Sequence, residues 1–168
     1  MLKIREVLSD EVEWVREQRV NAYEEHAQKI PSEHWGALKK AILSESDKGE
    51  GVELLVAELD GEVVGSIVLY PAKTDAYDGL VDELDYPEIR MLAVSPQVRN
   101  KGIAEALVNG CIRLAKEKGF QHVGLHTADF MTSAMRLYER LGFERQPQFD
   151  FEPANDGIIV KAYRLTIE

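Results

Sequence analysis

The chain has one cysteine, Cys111, in 168 residues. No internal disulfide can form, which fits a reducing compartment. No stretch approaches the ~18 consecutive apolar residues of a membrane span. The opening residues, Met1-Leu2-Lys3-Ile4-Arg5-Glu6, lack the apolar run of a signal peptide. These absences predict a soluble, cytoplasmic protein. Basic residues are in deficit, with 20 Lys plus Arg against 30 Asp plus Glu and a net charge of −10. That argues against non-specific nucleic-acid binding and against docking on an anionic membrane. Small-molecule and cationic partners stay open. No internal repeat, low-complexity tract or linker divides the sequence, so one domain over 1–168 is expected. With 45% hydrophobic residues, disorder is excluded.

What is present reads as alternating strands and helices. Leu2 to Val7 suits a short strand. Ser9-Asp10 offers an N-cap, with Glu13 at capping-box spacing from Asp10. A helix to about Ala27 is expected, although its buried face is poorly marked. A second helix runs from Pro31-Ser32 to Leu43. Val52 to Leu59 and Glu62 to Tyr70 read as a hairpin around Asp60-Gly61, because type I′ turns need positive φ at both central residues. Glu88 to Val94 is a strand. Gly102 to Lys118 is a helix with Ile103, Ala106, Leu107, Cys111, Leu114 and Ala115 along one face, stopped by Gly119. His122 to Thr127 is a strand, Ser133 to Leu141 a helix stopped by Gly142. Gln148 to Phe151 and Ile158 to Thr166 give two last strands. The order predicts a central sheet with helices packed on it.

The connection from Pro71 to Pro87 is too long for a hairpin loop. It carries Asp75, Asp78, Asp82, Glu83 and Asp85 against Lys73 alone. It reads either as a solvated loop or as an acidic rim that attracts a cationic substrate. More informative is Arg99-Asn100-Lys101-Gly102-Ile103-Ala104, between a strand end and a helix start. Helix N-termini leave N–H groups unpaired and favour anions. Gly102 permits close backbone approach, and Arg99 and Lys101 add positive charge. The alternative is a basic helix start on the surface. Walker A and dinucleotide fingerprints both fail: Lys101-Gly102 is followed by Ile103, and the loop has a single glycine.

At these residues the sequence resembles the GNAT superfamily of acyl-CoA-dependent N-acetyltransferases. The match comprises Glu88 to Pro96, then Arg99-x-x-Gly102-x-Ala104, and then Ala134-x-x-Leu137-Tyr138-Glu139-Arg140-Leu141-Gly142-Phe143. The resemblance implies an α/β (α+β) fold: a mixed, mostly antiparallel sheet of about seven strands, helices on both faces, and splayed strands 4 and 5. It implies that backbone amides of Arg99, Asn100, Lys101, Gly102, Ile103 and Ala104 hold the pyrophosphate of acetyl-CoA. Leu92, Ala93 and Val94 would lie along the pantetheine arm, Leu92 and Val94 pairing with it as an added strand does. A backbone N–H of that strand would polarise the thioester carbonyl. Family members often carry Asn where this chain has Met131, so that amide contact is either missing or supplied elsewhere, for instance by Thr132 or Ser133.

The resemblance also assigns proton carriers. A protonated alkylamine, pKa about 10.4, has no free lone pair and needs a proton acceptor. Glu88 occupies the position of a carboxylate base in some relatives; its other reading is a strand-end carboxylate paired with Arg90. Tyr138 matches the tyrosine that protonates the leaving thiolate; its other reading is a half-buried core aromatic. His122 and His126 lie four apart on a strand, about 13 Å at ~3.3 Å per residue, too far to share a metal. No metal is expected, and His126 reads first as a structural histidine. Cys111 reads as buried packing, with no activating partner. Trp14, Tyr23, His26, His34 and Trp35 occupy the region that lines the acceptor pocket in the family, without a firm assignment. The reading is direct acetyl transfer from acetyl-CoA to a small, cationic primary amine. A peptide or protein amine competes, as does a non-catalytic acyl-CoA sensor suggested by Met131. A homodimer stays open.

Overall fold

In the computed structural model the described residues are 1–44, 47, 49–73, 84–153 and 155–167. Among them the order is β1 (Leu2–Glu6), α1 (Val12–Tyr23), α2 (Ser32–Leu43), β2 (Glu53–Leu59), β3 (Glu62–Tyr70) and β4 (Glu88–Val94). Then come α3 (Ile103–Glu117), β5 (His122–Ala128), α4 (Thr132–Arg140), β6 (Glu144–Arg145) and β7 (Val160–Thr166). The strands form one 7-stranded sheet in the order β1-β2-β3-β4-β5-β7-β6. β1 with β2, β2 with β3, β5 with β7 and β6 with β7 are antiparallel; β4 with β5 is parallel. This is the mixed, mostly antiparallel sheet expected from the sequence.

The chain divides into two compact units, Met1–Leu69 with Met91–Cys111, and Tyr70–Arg90 with Ile112–Glu168. β4 and α3 each run on from one unit into the other. In the first unit, Asp60 (φ 51°) and Gly61 (φ 88°) make the left-handed pair that joins β2 to β3. Val56, Ala57, Ile67 and Val68 are fully buried. The start of α3 lies close on the sheet, where glycines allow it. A Cβ at Gly110 would stand 3.1 Å from Leu55 Cδ1 and 3.2 Å from Ile4 Cγ2.

The second unit is organised by β5, paired with β7 from His122↔Thr166 to Ala128↔Val160. Tyr86 packs over Gly124, where a Cβ would collide with its ring. Lys73 N–H donates to the Leu84 carbonyl at 2.7 Å, joining the two ends of the long connection. Leu137 and Tyr138 are the buried residues of α4.

Three local expectations are corrected. The first helix ends as α at Tyr23 and continues as a 3-10 turn over Glu24–Lys29. It is preceded by a 3-10 turn over Ser9–Glu11, where the Glu11 carboxylate accepts the Leu8 N–H at 2.8 Å, and its own N-cap is Glu11, with no side-chain capping bond, in place of Ser9 or Asp10. The sixth strand is Glu144–Arg145; Pro147–Phe149 is a 3-10 turn and Phe151 forms only a bridge to Val160. Pro147 lacks the N–H a ladder needs. Gln146 N–H has meanwhile bonded the Ala162 carbonyl at 2.8 Å. No helix among the described residues is long and apolar enough to cross a membrane.

Candidate active site

The loop entering α3 has an uncommon backbone. Asn100 (φ 64°) and Gly102 (φ 77°) are both left-handed and bracket Lys101. Asparagine tolerates that region and glycine occupies it without cost. A Cβ at Gly102 would meet nothing within 4 Å. Ala106 N–H bonds the Gly102 carbonyl at 3.1 Å, the first turn of the helix ladder. The N–H groups of Ile103 and Ala104 therefore precede any intrahelical acceptor. α3 has 15 residues, enough to give its N-terminus a useful dipole.

Arg99 plays a different part from the charge expected of it. Its Nη2 donates to the Ala22 carbonyl at 3.0 Å and its Nε to the Val94 carbonyl at 3.3 Å. Nη1 pairs with Glu25. The guanidinium thus ties the loop to the end of α1 and leaves Lys101 as the exposed cation of the turn. At the other end of the loop, Ser95 N–H bonds the Val64 carbonyl at 2.8 Å, and Gln18 donates to Ser95 Oγ at 3.1 Å.

β4 carries the next feature. Its parallel ladder with β5 covers Glu88↔Gly124 and Ile89↔Leu125. Two residues further on, Met91 has φ 58°, a left-handed residue inside a strand. Such a residue interrupts regular pairing and re-aims the backbone. Leu92 beyond it is half-buried; Ala93 and Val94 are buried.

Glu88 opens β4 and is 6% exposed. Its Oε1 lies 2.7 Å from His126 Nδ1. Among the described residues neither Glu88 oxygen has a hydrogen-bond partner of good geometry. His126 Nε2 lies 3.0 Å from the Phe149 carbonyl, which can only accept, so Nε2 carries a proton. The Arg90 pairing expected for Glu88 gives way to this one: the Arg90 guanidinium sits 5.5 Å above the Tyr70 ring. His126 is structurally held, yet held against the candidate base.

Tyr138 is 5% exposed. Its ring lies 5.7 Å from that of Phe143 and 6.4 Å from that of Tyr163. Tyr163 donates to Glu139 at 3.0 Å, and burial together with that carboxylate pushes its hydroxyl up to about 12. Ser133 is exposed in the first turn of α4. Met131, at the N-cap, receives a long contact from Thr127 Oγ1 to its sulfur, 3.6 Å. Cys111 is fully buried, and burial drives its thiol well above the usual range, away from nucleophilic use.

A buried cluster in the first unit has no signature in the sequence. Arg16 donates to both oxygens of Asp47, at 2.6 and 3.2 Å, and Arg19 to Oδ2 at 3.1 Å. Arg19 and the Asp47 side chain are 0% exposed. Partners 28 and 31 residues apart leave no local signature. Of the acidic connection, Asp75, Asp78, Asp82 and Glu83 lie outside the described residues. Asp85 is exposed. Among the described residues no group of three His, Cys, Asp or Glu side chains could hold a metal.

Comparison with known proteins identifies the fold and the family. A family model described as Acetyltransferase (GNAT) family matches residues 10–143. N-acetyltransferase 8B of Rattus norvegicus is 35% identical over 104 residues, covering 62% of this chain and 44% of that protein. The chain spans less than half the length of the curated relatives it matches. A GNAT-family acetyltransferase from Staphylococcus aureus superposes with a TM-score of 0.73 at 18% identity, over 100% of both chains. The yncA acetyltransferase of Salmonella typhimurium, solved with acetyl-CoA, gives 0.68 at 19% identity, over 99% of this chain and 94% of that one. These likenesses show the fold, and the family match over residues 10–143 shows more: the chain belongs to the GNAT family of acetyltransferases.

Proposed function

We propose that this chain transfers an acetyl group from acetyl-CoA directly to a primary amine of a small molecule. The observation that carries the reading is the turn over Arg99–Ala104. Its two left-handed residues and the N–H groups of Ile103 and Ala104 form a cradle for a polyphosphate. Bound there, acetyl-CoA supplies an activated acyl thioester.

The residues of the chain do the rest. The backbone of Leu92, Ala93 and Val94, beyond the left-handed Met91, offers strand-type hydrogen bonds to an extended arm. An N–H on the same stretch stabilises the negative charge that develops on the carbonyl oxygen. The attacking amine enters protonated, and Glu88 takes its proton. Its carboxylate makes no well-angled hydrogen bond among the described residues, which leaves lone pairs for the proton, and His126 Nδ1 lies 2.7 Å from Oε1. Tyr138 returns a proton to the departing sulfur. Cys111 is too deeply buried to carry an acetyl group, which supports one direct step. The acceptor is cationic at its reacting end; the acidic connection before β4 is the sequence feature behind a wider cationic character.

Calorimetry with acetyl-CoA and release of free thiol across a panel of amines test this. Binding together with amine-dependent thiol release is expected. Absence of acetyl-CoA binding overturns the reading. Gly102→Glu is expected to abolish binding, since it places a carboxylate at the cradle; unchanged affinity would put the pyrophosphate elsewhere.

A further inference from the structure

Arg19, in the third turn of α1, is 0% exposed, yet half of its guanidinium finds no hydrogen-bond partner among the described residues. Nη1 donates to Asp47 Oδ2 at 3.1 Å and to the Ile42 carbonyl at 3.3 Å, and approaches Met91 Sδ at 3.4 Å. Nε and Nη2 have no hydrogen-bond partner among the described residues. Buried donors are almost always paired, because an unpaired one loses its hydration with no return. The vacant edge is also the one on which two N–H bonds point in parallel, the fork that grips a carboxylate at two points. Asp47 cannot fill it. That carboxylate is taken at both oxygens by Arg16 and gives Arg19 only a share of Oδ2. Burial pulls the Arg19 guanidinium below its ordinary value despite the opposing pull of Asp47, as expected of a buried charge with half a counterion.

The position of Arg19 matters as much as the vacancy. Arg19 touches Met91, the left-handed residue of β4, next to Leu92 of the proposed thioester strand. Met91 is half-buried, and its unbranched, easily displaced side chain lies against Nη1 of the guanidinium.

We infer that Arg19 is a specificity-determining residue: its Nε–Nη2 edge receives a carboxylate carried by the acceptor amine, so the preferred acceptor is zwitterionic. This rests on the acetyl-transfer reading and refines it, adding an anionic end to the cationic end that reacts.

The test uses matched acceptors that differ only in the carboxylate: amino acids and their carboxamides, with acetyl-CoA, on the wild-type chain and on Arg19→Met and Arg19→Lys. The wild type is expected to favour the carboxylate of each matched pair about ten- to a hundredfold in kcat/KM, the range for a charge-assisted bond. Arg19→Met brings the ratio to about one, mainly through KM, and Arg19→Lys restores part of it. Folding is not expected to suffer, because Arg16 still holds both oxygens of Asp47. Equal rates on acid and amide by the wild type, or a preference that survives Arg19→Met, overturn the inference while leaving acetyl transfer intact. If no amine is acetylated, the catalytic reading fails, and calorimetry on the CoA-saturated chain still decides the anion site. N-acetylphenylalanine should bind and its amide should not; equal heats, or none, overturn the inference.

Discussion

A single methyl group, added at two glycines of the first unit, should have opposite effects. Gly65 lies in β3, where a Cβ would stand 2.9 Å from the Ala93 carbonyl oxygen, 3.2 Å from Leu107 Cδ1 and 3.5 Å from Val94 Cγ2. The first of these is backbone of β4 and cannot rotate away, so the strand itself has to shift by a few tenths of an ångström. Overpacking of this kind costs about 1–3 kcal/mol. At roughly 2–4 °C per kcal/mol for a chain of this size, Gly65→Ala should lower Tm by about 2–12 °C. Gly36 is exposed within α2, with nothing within 4 Å of its Cβ position. Gly36→Ala reduces the freedom of the unfolded chain and improves helix propensity, a gain of about 0.4–1 kcal/mol. Its Tm should rise. Differential scanning calorimetry reads both. Because Ala93 belongs to the proposed cofactor strand, Gly65→Ala should also raise KM for acetyl-CoA, whereas Gly36→Ala should not. A wild-type Tm for Gly65→Ala would refute the packing of β3 on β4 from which the number comes. A changed Tm with unchanged KM would separate Ala93 from the cofactor.

Glu88→Gln keeps the shape and removes the base, so kcat/KM should fall about 10²–10⁴-fold in steady-state kinetics; wild-type rates would exonerate Glu88. Tyr138→Phe should lower kcat with little change in acetyl-CoA affinity, read by steady-state kinetics beside calorimetry, and wild-type turnover would remove its acid role. Glu11 is held down to about 2, first by the Arg5 hydrogen bonds and next by the Leu8 N–H. Its stabilisation is therefore complete above its ordinary 4.5 and lost as pH falls towards 2. Arg5→Met should cost about 1 kcal/mol at pH 7 after allowance for solvent screening. The two proteins should converge in stability below about pH 2 in acid-unfolding curves; a gap that persists there would mean Arg5 acts by packing.

The sheet was largely legible in the sequence, and the reasons are local. β4 has the bounds Glu88–Val94 that its residues suggest, and the Asp60-Gly61 turn declares itself through residues that accept positive φ. The apolar face of α3 is equally plain. What escaped were features set by distant partners. α1 has a poorly marked buried face because Arg16, Gln18 and Arg19 are buried alongside Val15 and Val20. Three polar side chains in a core break the 3.6-residue apolar pattern. Their partner Asp47 stands in a stretch that reads as polar loop. Glu88 looked like a neighbour of Arg90; the sheet register instead brings β5 beside it and with β5 His126. The loop over Arg99–Ala104 was found by residue type, but not that Arg99 would face α1. That depends on the Ala22 carbonyl, 77 positions away.

The hydrogen bond from Lys73 N–H to the Leu84 carbonyl has a consequence for how this chain can vary. The two ends of the segment between them are already joined, so the sheet on either side is insulated from the length of what is inserted. Closing a longer loop is cheap, at about 0.6 kcal/mol for each doubling of its length. Segments of different length and charge can therefore be exchanged at this point while β3 and β4 keep their places in the strand order. In a lineage, or in a library, the connection before β4 is where sequence can drift fastest at least thermodynamic risk.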